Sequence, residues 1–307
     1  MADSSVQTTQ SPSRPSAAKL IVDWLVRYNF IVIFFILVAI ASILSPNFLT
    51  VRNISNLFQQ AAVVGIVSVG MTFVILTAGI DLSVGSLVAF GGMFVAILMA
   101  QGVSPLVAVV VTLAIGAAFG ALMGGISGYA DVPSFIVTLA GLVTIRGLTY
   151  LLSEGTPVGG LPASFNAIGS AKVGVAPVMG LIFLAVVALG GFVLRYTVFG
   201  EYVYATGGNA EAARLSGVPT RWVVTAVFII SGFLSTFAGI LLTSRLRIGQ
   251  PTAAQGLELD AIAAVVLGGT SLFGGRGGVG GTLVAVMLLQ VLRNLFNLIG
   301  LGSFYQM

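Results

Sequence analysis

Residues 60–100 read QAAVVGIVSVGMTFVILTAGIDLSVGSLVAFGGMFVAILMA. Two apolar runs, Gln60–Thr77 and Val84–Ala100, flank a short polar interruption that contains the carboxylate of Asp81. Each run has about the 17–25 residues that a helix needs to cross roughly 30 Å of hydrocarbon. A transmembrane β-barrel would instead alternate apolar and polar residues in segments of about ten. The stretch therefore predicts two transmembrane helices joined by a turn.

The same pattern recurs along the whole chain. Of the 307 residues, 57% are hydrophobic and 7% are charged, against roughly a quarter charged in a soluble domain. We therefore expect an all-α, polytopic transmembrane helix bundle of about nine spans, of which the eighth is short. The predicted spans are Phe30–Leu44, Gln60–Thr77, Val84–Ala100, Pro105–Gly128, Ser134–Leu152, Val175–Leu194, Trp222–Thr243, Leu259–Gly269 and Val279–Ile299.

Composition also excludes several kinds of function. The chain has no Cys and no His, which removes disulfides, thiolate metal sites, the commonest general base and the commonest metal ligand. With no nucleophile elbow, metal cluster or nucleotide motif in the sequence, we expect no catalytic residue and no metal site. The net charge of +4 is spread over many loops, so nucleic acid is not an expected partner. The stretch Gly268–Gly281 lacks the Lys-Ser or Lys-Thr of a phosphate loop and predicts a re-entrant or interfacial turn.

The ends of the chain set its orientation. Residues 1–19 are rich in Ser, Thr, Gln and Pro and predict a disordered cytoplasmic tail ahead of a transmembrane domain over residues 20–307. Ala39-Ile40-Ala41 has the spacing of a signal-peptide cleavage site, but an uncleaved first helix is favoured because Ala and Ile are ordinary inside a span. With this orientation the inner segments hold seven Lys or Arg residues and the outer loops four, as the positive-inside rule expects. The polar loop 195–221 is then cytoplasmic.

Within that loop, GGNAEAARLSGV (Gly207–Val218) has the features of a short self-capped helix. Asn209 is a good N-cap, Glu211 lies in the first turn, Arg214 lies toward the end, and Gly217 suits the left-handed closing position. A helix lying beneath the membrane would present small and apolar residues to a docking partner, although a solvated loop helix is the alternative. The residues expected on that docking face are Ala212, Ala213 and Leu215.

The fourth predicted span carries a glycine every four residues, at Gly116, Gly120, Gly124 and Gly128. These positions share one helix face, and small residues let helix backbones approach closely in lipid. The stripe therefore predicts a helix-packing face. Lining a path for a solute is the alternative interpretation.

Two segments resemble each other. GIDLSVGSLVAFGG (Gly79–Gly92) and GLELDAIAAVVLGG (Gly256–Gly269) share a glycine, an acidic residue, a leucine and a closing Gly-Gly. An odd number of predicted spans separates them, so the copies would have opposite orientations. Inverted repeats of this kind place the substrate path at the repeat interface in many transporters. Chance similarity between helices rich in Gly, Ala and Val is the alternative.

Asp81, Arg146 and Arg293 are charged residues in or near predicted spans, where an unpaired charge is costly. Asp81 either caps the helix that follows it or has a function. Arg146 either snorkels toward an interface or pairs with a carboxylate inside the bundle, and Arg293 is similarly expensive in its span.

Several long motifs together resemble the permease family of ABC sugar importers, the ribose, xylose and arabinose type, with the ribose permeases foremost. They are Gly70-Met71-Thr72 with VILTAGIDLSVGSL (Val74–Leu87), GGNAEAARLSG (Gly207–Gly217), QPTAAQGLELDAIAAVVLGGTSLFGGRGG (Gln250–Gly278) and SPNFLTVRNISN (Ser45–Asn56). The resemblance covers the chain from about residue 20 to its end.

This resemblance implies a division of labour in a bacterial inner membrane. Two copies of the permease would form the pore, a cytoplasmic ABC ATPase would dock beneath, and a periplasmic binding protein would deliver a monosaccharide. The chain itself would bind no cofactor, since ATP belongs to the partner ATPase. The implied coupling helix comprises Gly208, Asn209, Glu211, Ala212, Ala213, Arg214, Leu215, Ser216 and Gly217, and the residues implied near the translocation path are Asp81, Ser83 and Ser86.

The cargo and the coupling mode have alternatives. The expected cargo is ribose or another pentose, while a hexose or a furanosyl signalling molecule is equally compatible with the residues. An ion-coupled secondary transporter is the alternative from another class. It would need buried acidic or histidine residues for coupling, and Asp81 is the one candidate in the sequence.

One departure from the family pattern concerns the C-terminus. Family members continue beyond the equivalent of Phe304–Met307 into a further apolar helix, which gives about ten spans. We therefore expect this chain to stop before a tenth helix, with its C-terminus outside the cytoplasm.

Overall fold

The computed structural model describes residues 29–300. The predicted tail over residues 1–19 and the chain end at 301–307 lie outside this part. Within it, helices follow one another with a single two-stranded antiparallel hairpin. The elements are α1 (Asn29–Leu44), α2 (Val51–Leu76), α3 (Val84–Ala100), α4 (Pro105–Tyr129), α5 (Ser134–Ser153), α6 (Ala163–Ser170), β1 (Lys172–Val173), β2 (Ala176–Pro177), α7 (Val178–Tyr196), α8 (Val198–Gly208), α9 (Ala210–Leu215), α10 (Thr220–Leu246), α11 (Leu257–Leu267) and α12 (Val279–Leu298).

Among the described residues, six helices are long and apolar enough to cross a membrane: α2, α4, α5, α7, α10 and α12. Two further apolar helices, Ile31–Leu44 and Val84–Ala100, are shorter. The predicted polytopic helical bundle is thereby confirmed. The predicted eighth span corresponds to α11, whose 11 residues extend about 16 Å, roughly half the thickness of the hydrocarbon. Two glycines in the left-handed conformation, Gly256 and Gly269, lie just outside its ends, so α11 does not cross the membrane by itself.

Helix α2 begins at Val51, well before the predicted start at Gln60. The side-chain oxygen of Thr50 accepts a hydrogen bond from the backbone N–H of Asn53 at 3.3 Å and caps the helix. The amide of Asn53 exchanges hydrogen bonds of 2.9 and 2.8 Å with the amide of Asn294 in α12. Hydropathy alone assigned these polar residues to a loop, because it does not register partners from a distant helix.

Helix α10 lies at the centre of the bundle and packs against α2, α3 and α4. The glycine stripe of α4 faces it along successive turns, at Gly116, Gly120, Gly124 and Gly128. A Cβ atom on Gly120 would collide with the carbonyl oxygen of Phe228, and one on Gly128 would lie 2.7 Å from the carbonyl oxygen of Arg221. The close approach of the two backbones therefore depends on the missing side chains.

We predict that Gly120→Ala destabilises the bundle, because the new methyl group meets rigid backbone rather than a flexible side chain. Overpacking of this kind costs about 1–3 kcal/mol. The thermal unfolding midpoint of the purified protein in detergent should fall. Gly125→Ala is the matched control, since no atom lies within 4 Å of its added Cβ. Equal midpoints for the two variants would contradict the packing assignment.

Candidate functional site

The chain between α2 and α3 is unwound from Thr77 to Ser83 and lies inside the bundle. The carboxylate of Asp81 is fully buried. One of its oxygens accepts hydrogen bonds from the backbone N–H and the hydroxyl of Ser83, at 2.9 and 2.6 Å. The other oxygen accepts a hydrogen bond of 2.7 Å from the hydroxyl of Ser231 in α10. Asp81 therefore fixes the start of α3 and ties the unwound stretch to the central helix, because a buried carboxylate is tolerated only with such partners.

Hydroxyl groups of α5 satisfy the unwound backbone. The N–H of Ile80 donates to the hydroxyl of Ser134, and the N–H of Leu82 donates to the hydroxyl of Thr138, both at 3.0 Å. The same hydroxyl of Thr138 lies 3.2 Å from the carbonyl oxygen of Ile80. Non-helical backbone at membrane depth persists only where protein or water supplies its hydrogen bonds. Here the neighbouring helix supplies them.

The three residues predicted near the translocation path, Asp81, Ser83 and Ser86, are brought together at this turn. All three are fully buried. The hydroxyl of Ser86 donates to the carbonyl oxygen of Leu142 in α5 at 2.8 Å. Their polar atoms face neighbouring helices rather than an open surface. Near a translocation path these residues would therefore stabilise the turn rather than contact the cargo.

A second irregular stretch, residues 247–256, connects α10 to α11. It includes Arg247 and Ala254 in the left-handed region, with φ of 62° and 56°. The guanidinium of Arg146 in α5 donates to the carbonyl oxygens of Pro251 and Ala253, at 3.1 and 2.8 Å. The hydrogen-bond acceptors of Arg146 are thus backbone carbonyl groups rather than the predicted carboxylate. Arg146 therefore holds the second irregular stretch against α5.

The other charged residue in a predicted span, Arg293 of α12, forms an ion pair with Asp260 of α11. Both side chains are partly exposed. The pair joins the short helix to a long one, and it accounts for a charge that would be costly alone in a span.

The two irregular stretches meet near the start of α3. A Cβ atom on Gly85 would lie 2.7 Å from the carbonyl oxygen of Ala254, and the carboxylate of Glu258 lies against the same glycine. The two segments of the predicted repeat are thus neighbours in space. Their helices start at different points, however, since α3 begins after Asp81 and α11 begins before Glu258. The inverted repeat stays a prediction.

The predicted loop helix is present as α9. The side-chain oxygen of Asn209 accepts a hydrogen bond of 2.9 Å from the N–H of Ala212, and Gly217 has φ of 87°. Glu211 and Arg214 form an exposed ion pair at 2.7 Å. The hydrogen bond from Arg214, and then its positive charge, lower the pKa of Glu211. The helix therefore satisfies its own ends and its own charges.

The expected docking face needs one correction. Leu215 is 77% exposed and Ala212 is exposed, but Ala213 is only 6% exposed. Placing Ala213 on the outer face was wrong, because α9 rests on α8 and α10 and that residue lies on the inner side.

A junction of glycines connects α9 to the first irregular stretch. Gly207 lies in the last turn of α8, just before α9, and a Cβ atom there would collide with the carbonyl oxygen of Leu76, the last residue of α2. The same carbonyl accepts a hydrogen bond of 3.0 Å from the N–H of Gly275 in the glycine-rich turn. Tyr204 of α8 also donates to the carbonyl oxygen of Gly277 at 2.9 Å. The contacts are therefore continuous from the base of α9 to the stretch that contains Asp81.

Sequence reasoning missed the stretch held by Arg146. The available signal was a run of helix breakers, Pro251 and Gly256, directly before two carboxylates, Glu258 and Asp260. An arginine inside a span indicated that some polar partner lay at that depth. The sequence could not show that the partners of this arginine were backbone carbonyl groups.

Irregular stretches between the helices of a multi-pass membrane bundle are typical of transport proteins. Comparison with known families makes this specific: residues 53–305 match the family described as the permease component of the branched-chain amino acid transport system. The chain belongs to this permease family. As the resemblance predicted, its relatives include sugar permeases of ABC importers, and it is a multi-pass inner-membrane protein.

Curated relatives are similar over most of their length. The chain is 45% identical over 292 residues to the ribose import permease of Escherichia coli (strain K12), covering 92% of this chain and 90% of that protein. It is 44% identical over 275 residues to the ribose import permease of Bacillus subtilis (strain 168), covering 89% and 85%. It is 37% identical over 282 residues to the L-arabinose ABC transporter permease of Azospirillum brasilense, covering 91% and 83%. No solved structure matches the chain.

We predict that Ser231→Ala lowers stability, because it removes a hydrogen bond to the buried carboxylate of Asp81. Such bonds to charged groups contribute about 1.5–3 kcal/mol. The measurement is the thermal unfolding midpoint in detergent.

Ser235→Ala is the matched control for this prediction. Ser235 lies one turn later in α10, is equally buried, and its hydroxyl finds no hydrogen-bond partner among residues 29–300. Its removal should leave the midpoint nearly unchanged. If Ser235→Ala proved the more damaging of the two, Asp81 would not be the anchor described above.

Proposed function

We propose that this chain is the membrane permease of an ABC importer that moves a monosaccharide, ribose or another pentose, into the cell. The observation that carries the proposal is the 45% identity to a ribose import permease over 92% of the chain. Two segments that carry the family motifs form ordered structures in this chain: the buried turn at Asp81 and the capped helix α9. Like its relatives it is a transport subunit, and catalysis belongs to another polypeptide.

A hexose is the second candidate for the cargo. A relative from Escherichia coli (strain K12), the D-allose transport system permease protein, is 36% identical over 283 residues. The permeases for a five-carbon sugar, L-arabinose, and for a six-carbon sugar, D-allose, are thus related to this chain at similar identity. Both candidate cargoes are uncharged molecules that are rich in hydroxyl groups.

The exposed side of α9 is the proposed docking site for the ATPase. Leu215 offers an apolar side chain that is 77% exposed, and the side chains of Glu211 and Arg214 beside it are also largely exposed. Because α9 caps itself, it keeps its shape before a partner arrives, and less ordering entropy is lost on docking. A rigid, exposed helix with a central apolar residue suits a pocket on a partner protein.

Movement of α9 would reach the core of the permease through the glycine junction. The backbone at Gly207 touches the end of α2 at Leu76, and Gly275 is hydrogen-bonded to the same carbonyl. Closure of the ATPase on ATP would displace α9, and the displacement would arrive at the unwound stretch from Thr77 to Ser83. That stretch has few internal hydrogen bonds and depends on α5 and α10. A displacement of that stretch would therefore act on its contacts with α5 and α10.

The remaining partners follow from the same scheme. A periplasmic sugar-binding protein would deliver the cargo at the opposite end of the bundle, and a second copy of the chain would complete the pore. An ion-coupled mechanism is less well supported, because the carboxylate of Asp81 already accepts three hydrogen bonds from serine residues. No groups of three or more acidic residues close enough to hold a cation occur among residues 29–300.

Uptake by proteoliposomes tests the proposal. Vesicles that contain the chain, its ATPase and, on the outer side, its binding protein should accumulate radiolabelled ribose when ATP is enclosed. Omitting ATP should abolish accumulation, and an imposed proton or sodium gradient should not restore it. Accumulation driven by either gradient without ATP would overturn the proposal, and faster accumulation of allose than of ribose would reassign the cargo to a hexose.

We predict that Leu215→Glu weakens binding of the ATPase, because it places a charge at the centre of an apolar contact. The loss of affinity should be about tenfold or more, measured by co-purification of the ATPase at graded concentrations. Val173→Glu is the control. Val173 is similarly exposed, but it lies in the hairpin that precedes α7, whereas α9 lies beyond the opposite end of that helix. An unchanged ATPase affinity for Leu215→Glu would remove α9 from the docking site.

A further inference from the structure

The irregular stretch Gln250–Gly256 combines exposure with depth in the bundle. Thr252, Gln255 and Gly256 are exposed, whereas Pro251 and Leu257 on either side are buried. The stretch is thus anchored at both ends and open on one face.

Its depth follows from its contacts with α3. Ala254 and Glu258 lie against Gly85, close to the start of that helix. From Gly85 to its end at Ala100, α3 rises about 22 Å, which is most of a hydrocarbon layer roughly 30 Å thick. At the other end of the stretch, Gly249 pairs with Val158, which follows the end of α5. Gly249 itself lies against Gly92 and Ala96 in the second half of α3, so the stretch from Gly249 to Ala254 runs alongside α3 toward its start.

Lipid is a poor cover for this open face. Within residues 29–300, the backbone N–H groups of Thr252 and Gln255 find no acceptor. Hydrocarbon offers none either, and irregular backbone at membrane depth occurs only where it is buried in protein or lines a water-filled cavity. The first irregular stretch is of the buried kind, since Ser134 and Thr138 supply its hydrogen bonds. The second irregular stretch exposes polar groups instead, which favours contact with a water-filled cavity.

We propose that the face formed by Thr252, Gln255 and Gly256 lines the aqueous path along which the cargo crosses the membrane. This inference rests on the proposed function and names the residues that meet the sugar. A hydroxyl and an amide offer both donors and acceptors, which match the hydroxyl groups of a monosaccharide without selecting for charge. Contacts of this neutral kind are weak enough to release the cargo. Arg146 is a positioning residue, because it holds the carbonyl groups of Pro251 and Ala253 and so sets where the face points.

The absence of cysteine from the chain permits a direct test. Thr252→Cys and Gln255→Cys are each introduced alone, and the complete importer is assembled in proteoliposomes. A negatively charged, membrane-impermeant methanethiosulfonate reagent then reports whether water reaches each thiol. Leu189→Cys in α7 is the control for an exposed apolar position, and Ser235→Cys in α10 is the control for a buried one.

We expect both stretch variants to react and both controls to remain unmodified. Modification of Gln255→Cys should reduce ribose uptake by about tenfold or more, because an adduct narrows the path, and saturating ribose with the binding protein should slow the reaction. If both stretch variants import ribose normally and neither reacts with or without ATP, the inference is wrong while the proposed function stands. If the unsubstituted chain imports no sugar, the proposed function fails, and labelling of Thr252→Cys and Gln255→Cys alone still identifies a water-filled path.

Discussion

Every peptide group within a membrane must find its hydrogen bonds inside the protein or in a water-filled space. A continuous helix meets this requirement by itself, but this chain has two irregular stretches whose backbone is partly buried in the bundle. In the first stretch, hydroxyl groups of α5 and the buried carboxylate of Asp81 accept the hydrogen bonds of the backbone. The second is held by the guanidinium of Arg146, and its outer face keeps polar groups unsatisfied by the described residues. The arrangement of α3, α5, α10 and α11 around these stretches follows from that requirement.

The helical bundle was predictable because the apolar runs are long and contain few charged residues. The capped helix α9 was predictable for a local reason, since Asn209, Glu211, Arg214 and Gly217 act within their own few residues. Its outer face was only partly predictable, because the burial of Ala213 depends on how α9 rests on its neighbours. The glycine stripe on α4 indicated a close helix contact, while the identity of the partner helix required the structure.

Contacts that join distant parts of the chain could not be predicted from the sequence. Nothing local to Arg146 indicates that its partners are two carbonyl groups of a loop far along the chain. Likewise, the early start of α2 reflects an amide pair between Asn53 and Asn294. For Arg146 and for the start of α2, the missing information was a tertiary contact rather than a propensity. The apolar composition of α11 predicts a span, whereas two left-handed glycines near its ends, Gly256 and Gly269, limit its length.

The junction of Gly207, Gly275 and Leu76 has a mechanical consequence. Main-chain atoms meet main-chain atoms there, with no side chain between them. Side chains absorb small displacements by changing rotamer, whereas planar peptide units joined by a hydrogen bond have little such play. A displacement of one segment is therefore expected to move its neighbours, because no flexible side chain lies between them. The joint acts as a stiff linkage, and even one methyl group at Gly207 would force its members apart.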